Sequence, residues 1–316
     1  MPELPEVEIL RKGLEPLLRG QTVARATLHR RDVAVGPDDP PGGFSRQRTP
    51  IAPTRLNATQ LLLGAKIHGI SRKGKVLAIV AVDGRTLGIH LGMSGQLLWD
   101  PGRAVIPTNH VHASWRFTDG SKLHFRDPRR FGGLWLADSP ESLPIWKSLG
   151  PDALKLHPMQ LSGLLTPVRR PIKAALIDQS LLAGVGNIYA DEALHRAGVH
   201  PRTPACDIPQ AGVVELGRSI VAILREAIEA GGSTVRDYRN AMGQSGDFQR
   251  AHHVYGRGGQ PCTTCGTRLE QDTIGQRTSV WCPTCQPAEA FNKLSTTTRN
   301  RKDRKAGRSL SPKGSL

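Results

Sequence analysis

Four cysteines near one end constrain this chain more than any other feature. Cys262-x2-Cys265 and Cys282-x2-Cys285 stand 16 residues apart, a spacing that suits one tetrahedral zinc ion between two knuckles of a ribbon. Four thiolates leave no open coordination position, so one structural Zn2+ is expected, and no organic cofactor is indicated. A module this short buries too little apolar surface to fold without its metal. Arg268 and Arg277 fall between the knuckles, where a hairpin tip could reach phosphate or only solvent. The fifth cysteine, Cys206, has no evident partner and reads as a small, partly buried side chain.

The chain is also basic. It carries 43 Lys and Arg against 27 Asp and Glu, a net charge of +16 over 316 residues. Residues 287–316 hold +6 of that excess, so the body is itself strongly positive. This balance points to a polyanionic partner, most often nucleic acid. No N-terminal run resembles a signal peptide, and no stretch of about 18 apolar residues could span a membrane. A cytoplasmic protein of two or three domains is expected.

The first residues, Met1-Pro2-Glu3-Leu4-Pro5-Glu6, carry candidate chemistry. Loss of Met1 leaves the Pro2 nitrogen a free secondary amine beside two carboxylates. Such an amine can attack an electrophilic carbon while Glu3 or Glu6 moves protons. The plainer alternative is a helix start, with proline in the first turn and acids facing the dipole. A retained Met1 would make the same nitrogen an amide and remove the chemistry.

Taken in order, residues 3–19 read as an amphipathic helix with Val7, Leu10, Leu14, Leu17 and Leu18 on one face and Gly20 as its stop. A first strand is expected over 22–35, then a long Pro- and Gly-rich surface loop over 36–53. Strand signals dominate 61–137. Asp83-Gly84 should turn Lys75–Val82 into Arg85–Leu91, and Asp119-Gly120 should turn Ala113–Thr118 into Lys122–Arg126, with a further strand over Gly132–Ala137. Beyond Gly150-Pro151 the pattern is helical, over about 158–166, 171–181, 187–198 and 208–230. Asp207 is the expected N-cap of the last helix and Gly231-Gly232 its stop. Residues 239–250 read as a mobile loop, and the chain from about 288 as a disordered basic tail.

Gly184-Val185-Gly186-Asn187 joins two helical segments. Two glycines permit a tight turn, and a helix beginning at Asn187 would offer N–H groups to a phosphate. Gly-x-Gly alone is a weak signal, and on these residues a plain inter-helix turn is the favoured reading. No strand precedes it, which argues against a dinucleotide-binding unit.

Together these segments resemble the bacterial formamidopyrimidine-DNA glycosylases. The resemblance is carried by Pro2–Glu6, His90-Leu-Gly-Met-Ser-Gly95, Asp127-Pro-Arg-Arg-Phe-Gly132, Gly184-Val-Gly-Asn-Ile-Tyr-Ala190, Val254-Tyr-Gly-Arg257 and the four cysteines. They run in order over about residues 2–286. The resemblance implies a multidomain α+β protein. Residues 1–150 would form an N-terminal catalytic domain, a helix plus an antiparallel β-sandwich. Residues 151–255 would form a helical helix-two-turn-helix DNA-binding domain, 256–287 a zinc finger, and 288–316 the tail.

The implied activity is bifunctional base excision on damaged double-stranded DNA. Oxidised purines such as 8-oxoguanine and formamidopyrimidines would be removed through an N-terminal proline Schiff base, followed by β,δ-elimination. Pro2 takes the nucleophile's place, Glu3 the proton donor's, and Glu6 that of a second acid. Lys75 matches the hairpin lysine of β-elimination, and Arg277 the zinc-finger arginine of δ-elimination. Met93, Arg129 and Phe131 match the wedge that fills the gap left by a flipped base. His110, Arg130, Arg169, Lys173 and Asn187 match backbone-contacting positions. The resemblance further implies a monomer located in the cytoplasm with the nucleoid.

Segment 36–60 and the tail are longer than the family pattern. Two other readings compete: an endonuclease-VIII-like enzyme of oxidised pyrimidines, and a non-catalytic zinc protein that binds DNA. Leu4 and the Met93/Arg129/Phe131 set favour the purine-lesion reading over the first of these. Pro2, Glu3 and Lys75 favour it over the second.

Overall fold

The computed structural model describes residues 2–35, 61–102, 107–234 and 238–288. The loop expected over 36–53 and the tail from 289 onward lie outside the described residues. The described chain separates into two compact units. One comprises the described residues within 1–156, 176–189 and 220–252, the other those within 157–175, 190–219 and 253–288.

In the first unit, α1 (Leu4–Leu18) buries Leu4, Val7, Leu10, Leu14 and Leu18 at 1% exposure or less. Each such side chain contributes on the order of 2 kcal/mol by leaving water. Gly20, at φ +82°, turns the chain out of the helix. The unit holds two antiparallel four-stranded sheets. One has the order β1 (Val23–Leu28), β6 (Val111–Phe117), β7 (Lys122–Arg126), β5 (Gln96–Asp100). The other runs β2 (Ile67–Lys73), β3 (Val76–Ala81), β4 (Thr86–His90), β8 (Gly133–Ala137), and the helix packs on its strands β2 and β3. Leu10 and Leu14 share one apolar cluster with Ile67, Leu77 and Ile89 of one sheet and Leu97, Trp115 and Phe125 of the other. The core therefore lies where helix and both sheets meet, as the alternating pattern requires.

Both expected hairpins form; the strands of the first are shorter than the sequence suggests, whereas in the second β6 begins two residues earlier and β7 keeps its expected bounds. The first strand ends at Leu28, and a 3-10 turn, Arg31–Val33, follows. Strands β2 and β5 have no separate signal in the sequence pattern. Because β2 pairs with β3 from Lys73↔Val76 outward, Lys75 lies in the two-residue turn and does not open a strand.

Helices α3 (Pro158–Leu165), α5 (Asn187–Arg196) and α6 (Gln210–Glu229) fall close to expectation, whereas α4 is only Ile172–Leu176. A four-residue α2, Pro144–Lys147, precedes them. Asp207 does not cap α6. It closes the 3-10 turn Ala205–Asp207, and the helix begins beyond Pro209. Cys206 is exposed, not partly buried. In the second unit the ribbon pairs β9 (Glu270–Ile274) with β10 (Arg277–Trp281) through Gly275 and Gln276, both at positive φ (57° and 62°). Among the described residues no helix is long and apolar enough to cross a membrane.

Candidate active site and metal centre

Pro2 is buried where α1 begins. Glu3 occupies the N-cap position, and the Glu6 carboxylate accepts from the Glu3 N–H at 2.8 Å. One helical turn thus spends an acid on holding the backbone next to Pro2. Leu4 N–H donates to the Gly184 carbonyl at 3.1 Å, tying the N-terminus to the glycine turn. Glu3 is 2% exposed. Its Oε1 accepts from Ile188 N–H at 3.0 Å, while Oε2 has no hydrogen-bond partner among the described residues. The start of α5 therefore gives its Ile188 N–H to Glu3, where the sequence alone suggests a phosphate.

Lys75 reaches the same place from the β2–β3 turn. Gly74 adopts φ +55°, which a two-residue hairpin loop demands of its first residue. A side chain there is also excluded by space, since a Cβ would lie 2.9 Å from Ala183 Cβ. The tip is clamped by Asp152, which accepts from Gly74 N–H at 2.7 Å and from Arg72 at 2.6 Å. Arg72 also donates to Glu8 at 2.8 Å. Gly186 faces both functional groups: a Cβ on it would lie 2.5 Å from Glu3 Oε1 and 2.6 Å from Lys75 Nζ. Only glycine leaves that space open. Beside it is a cavity of about 410 Å³ lined by Lys75, His90, Leu149, Gln179 and Ser180, among others.

Glu6 is enclosed. Its Oε1 accepts from Tyr189 O–H at 2.5 Å and from Ser233 N–H at 2.8 Å. Burial raises the Glu6 pKa above the usual carboxyl range despite these donors, and burial next to Glu6 pushes the Tyr189 phenol well above its own.

The wedge candidates sit on two loops joined by one acid. Asp127, fully buried, accepts from Ser94 O–H at 2.6 Å and from Gly132 N–H at 2.7 Å. Ser94 Oγ in turn accepts from Arg129 N–H at 3.1 Å. Met93 and Phe131 are half-buried and Arg129 is exposed, its guanidinium 5.0 Å from the centre of the Phe131 ring. His110 and Arg130 take left-handed φ values of 62° and 56°. Such strain in non-glycine residues collects at functional loops.

In the second unit Arg169 and Arg277 are exposed, and Arg277 opens β10 directly after the ribbon turn. Lys173 differs from expectation. It is fully buried, with its ammonium 2.5 Å from Asp191, which also accepts from Val280 N–H at 3.3 Å. As placed, it joins α4 to α5 and offers no surface to a phosphate. Desolvation raises Asp191 to about 6.

The four cysteine sulfurs lie within 4.8 Å of one another. Sγ–Sγ separations are 3.4 Å for Cys265–Cys282, 3.5 Å for Cys265–Cys285 and 3.9 Å for Cys262–Cys285. Zn–S bonds of about 2.3 Å imply tetrahedral edges of about 3.8 Å, so the donor set fits one structural zinc. Thr264 N–H and Cys285 N–H point at Cys262 and Cys282, each at 3.4 Å. His195 Nε2 stands 3.5 Å from Cys262 Sγ, in the outer shell of the centre.

Two supporting residues, Asp152 and Glu192, carry no signal in the sequence, and Asp127 is marked there only as the first residue of a motif, not as a clamp. Glu192 accepts from three successive N–H groups, those of His253, Val254 and Tyr255, at 2.8–3.0 Å. Each acts on backbone that is distant or irregular, so no periodicity marks it.

Three family models match in order: the formamidopyrimidine-DNA glycosylase N-terminal domain over residues 1–134, its H2TH domain over 149–239, and the zinc finger found in FPG and IleRS over 259–288. The formamidopyrimidine-DNA glycosylase of Methylobacillus flagellatus is 40% identical over 292 residues, 92% of this chain and 98% of that protein. The crystal structure of the MutM (Fpg) protein from Thermus thermophilus superposes with a TM-score of 0.75 at 38% identity, covering 90% of this chain and 98% of the other. A point mutant of the Lactococcus lactis FPG, in complex with a Fapy-dG-containing DNA, gives 0.76 at 30% identity over 90% and 100%.

Proposed function

The chain belongs to the formamidopyrimidine-DNA glycosylase family, and from that premise we propose that Pro2, Glu3 and Lys75 perform base excision on a damaged nucleotide flipped out of duplex DNA. The protein is a bifunctional DNA glycosylase and AP lyase of base excision repair. Its substrates are oxidised purines, 8-oxoguanine and formamidopyrimidines. The observation that carries the assignment of residues is the convergence on Gly186, where acid and amine meet beside the buried N-terminal proline.

The Pro2 nitrogen, freed by loss of Met1, attacks C1′ of the lesion's sugar. The N–C1′ bond forms as the glycosidic bond breaks, and the damaged base leaves with the electron pair of that broken bond and takes up the proton that the Pro2 nitrogen loses. Glu3 gives a proton to the ring oxygen as the sugar opens to an iminium. Its unpaired Oε2 supports that role, and the α5 start stabilises the carboxylate left behind. Glu6 holds the Glu3 backbone and is the second acid near the sugar. The cationic imine acidifies C2′. Loss of that proton expels the 3′-phosphate, with Lys75 assisting, and a second elimination, assisted by Arg277, releases the 5′-phosphate.

The cavity beside Lys75 accommodates the extruded nucleotide, and Met93, Arg129 and Phe131 fill the gap it leaves. His110, Arg130, Arg169 and Asn187 contact the DNA backbone. The protein acts as a monomer on the chromosome, in association with the nucleoid. Its working divisions are 1–150, 151–255 and 256–287.

Borohydride trapping on an 8-oxoguanine·cytosine duplex tests this. Protein verified to begin at Pro2 should form a covalent adduct, and protein that retains Met1 should form none. An adduct of equal yield from both would end the Pro2 assignment. Glu3→Gln should slow base removal by about 10²- to 10⁴-fold while nicking of a preformed abasic site falls less. Unimpaired base removal would take the acid role from Glu3.

A further inference from the structure

Glu6 is held by a loop that is itself fastened from behind. Gly231 and Gly232 follow α6 at φ +78° and +82° and aim Ser233 N–H at Glu6. A Cβ on Gly232 would come within 3.0 Å of Glu6 Oε1, so the loop lies flush against the acid. Residues 246–249 bind its outer side. Phe248 N–H donates to the Gly232 carbonyl at 3.0 Å, Gly246 N–H to Thr234 Oγ1 at 2.9 Å, and Thr234 N–H to Gln249 Oε1 at 2.8 Å.

His252 ends this fastening. It is 9% exposed, edge-on to Phe248 at 5.8 Å, with Nε2 3.0 Å from Ser233 Oγ. Ser233 Oγ also lies 3.4 Å from Tyr189 Oη, whose proton goes to Glu6. Polar contacts thus run from His252 to Ser233, and from Ser233 to Glu6 both through its own N–H and past Tyr189, ending at the backbone beside Pro2.

We propose that His252 is a positioning residue for base excision, fixing Ser233 and through it the Glu6 carboxyl. This rests on the role given to Glu6 above. The Ser233 hydroxyl has one proton. It passes either to His252 Nε2 or to the Tyr189 oxygen, and in the second case His252 carries its proton on Nε2. Both arrangements leave Ser233 Oγ bonded. An apolar residue at 252 leaves that buried hydroxyl without its closest partner and frees the loop behind Glu6. His252 is joined to Glu6 through Ser233, so its loss should act on turnover more than on substrate binding.

The test uses full-length protein beginning at Pro2, on 8-oxoguanine duplex and on a preformed abasic duplex, with melting temperature and zinc content measured in parallel. His252→Leu should lower the single-turnover excision rate about fivefold to tenfold, the worth of one buried hydrogen bond. KM should stay near that of the unmodified protein, and abasic-site nicking, which needs no base removal, should fall less than excision. His252→Gln, whose amide reaches the Nε2 position, should restore the rate. Ser233→Ala should match His252→Leu, and the double variant should be no slower than either single one.

Excision by His252→Leu at the unmodified rate would overturn the proposal, as would multiplicative losses in the double variant or no rescue by Gln at unchanged melting temperature. If His252→Leu does not fold, the Ser233→Ala and Gln results decide on the same terms. If the unmodified protein excises nothing, the functional reading fails instead.

Discussion

The loops around Pro2 and the zinc ribbon both hold irregular backbone in place, by opposite chemistry. In the first unit buried carboxylates do it: Glu6 on the Glu3 N–H, Asp152 on the hairpin tip, Asp127 on the two wedge loops. In the second unit a carboxylate, Glu192, still holds the backbone that leads into the ribbon, but the ribbon itself is held by four thiolates and a metal, over a small apolar cluster of Val254, Leu269 and Val280. A carboxylate clamp needs only one residue, accepts up to four hydrogen bonds and leaves the functional groups around it uncrowded. A metal clamp needs four residues at fixed spacing but stabilises a module with little core. The difference fits the proposed placing of the chemistry among carboxylates, where protons can move, while the metal serves structure.

Chelation should separate the two regions most sharply. Structural zinc contributes on the order of 10 kcal/mol to a finger's folding, so its removal should abolish amide-exchange protection over 262–285 and weaken DNA binding, with the β-sheets of the first unit still protected. One zinc per chain is expected in active protein. Retained protection in the ribbon after stripping would equate the two clamps and defeat the contrast.

Asp127→Asn has the reverse effect at smaller scale. It takes one acceptor from Ser94 or Gly132 and should lower stability by about 1–3 kcal/mol. Amide exchange should rise at Gly132 and Arg129 while the ribbon stays unchanged. A stability equal to that of the unmodified protein would show that the wedge loops are held by something else.

The smallest effect is pH-dependent. His112 is 3% exposed beneath the wedge loops, 2.8 Å from the Asp127 carbonyl, and burial holds its pKa below the ordinary imidazole value of 6.5. The neutral form is the one the fold prefers, so its stabilisation is complete above about 6.5 and is lost as pH falls through the lower folded value. Melting temperature should drop on acidification, and His112→Gln should flatten part of the drop. His124 and His200, which burial depresses in the same sense, add to the drop. An unchanged slope in the variant would remove His112 from this account.

Much of the molecule is legible in the sequence. The helix at 4–18, both glycine-turned hairpins and the cysteine ribbon follow from periodicity and spacing, which are written locally in the chain. Boundaries shift where a local signal meets tertiary competition. Asp207 is a good cap by type, yet Pro209 sets where α6 starts. Lys75 lies beside a β-branched run, yet the pairing of Lys73 with Val76 makes it a turn residue.

By itself the sequence determined which chemistry is present: a proline followed by acids, a lysine between strands, and four thiolates at zinc spacing. Only the tertiary structure decided what each buried polar group would face. It placed Glu3 on the start of α5, buried Lys173 against Asp191, set Asp127 between two loops, and put His252 behind Ser233. The reason is physical. Spacing along the chain fixes what is within a turn or a hairpin, but a desolvated carboxylate or ammonium takes whichever partner chain closure brings to it.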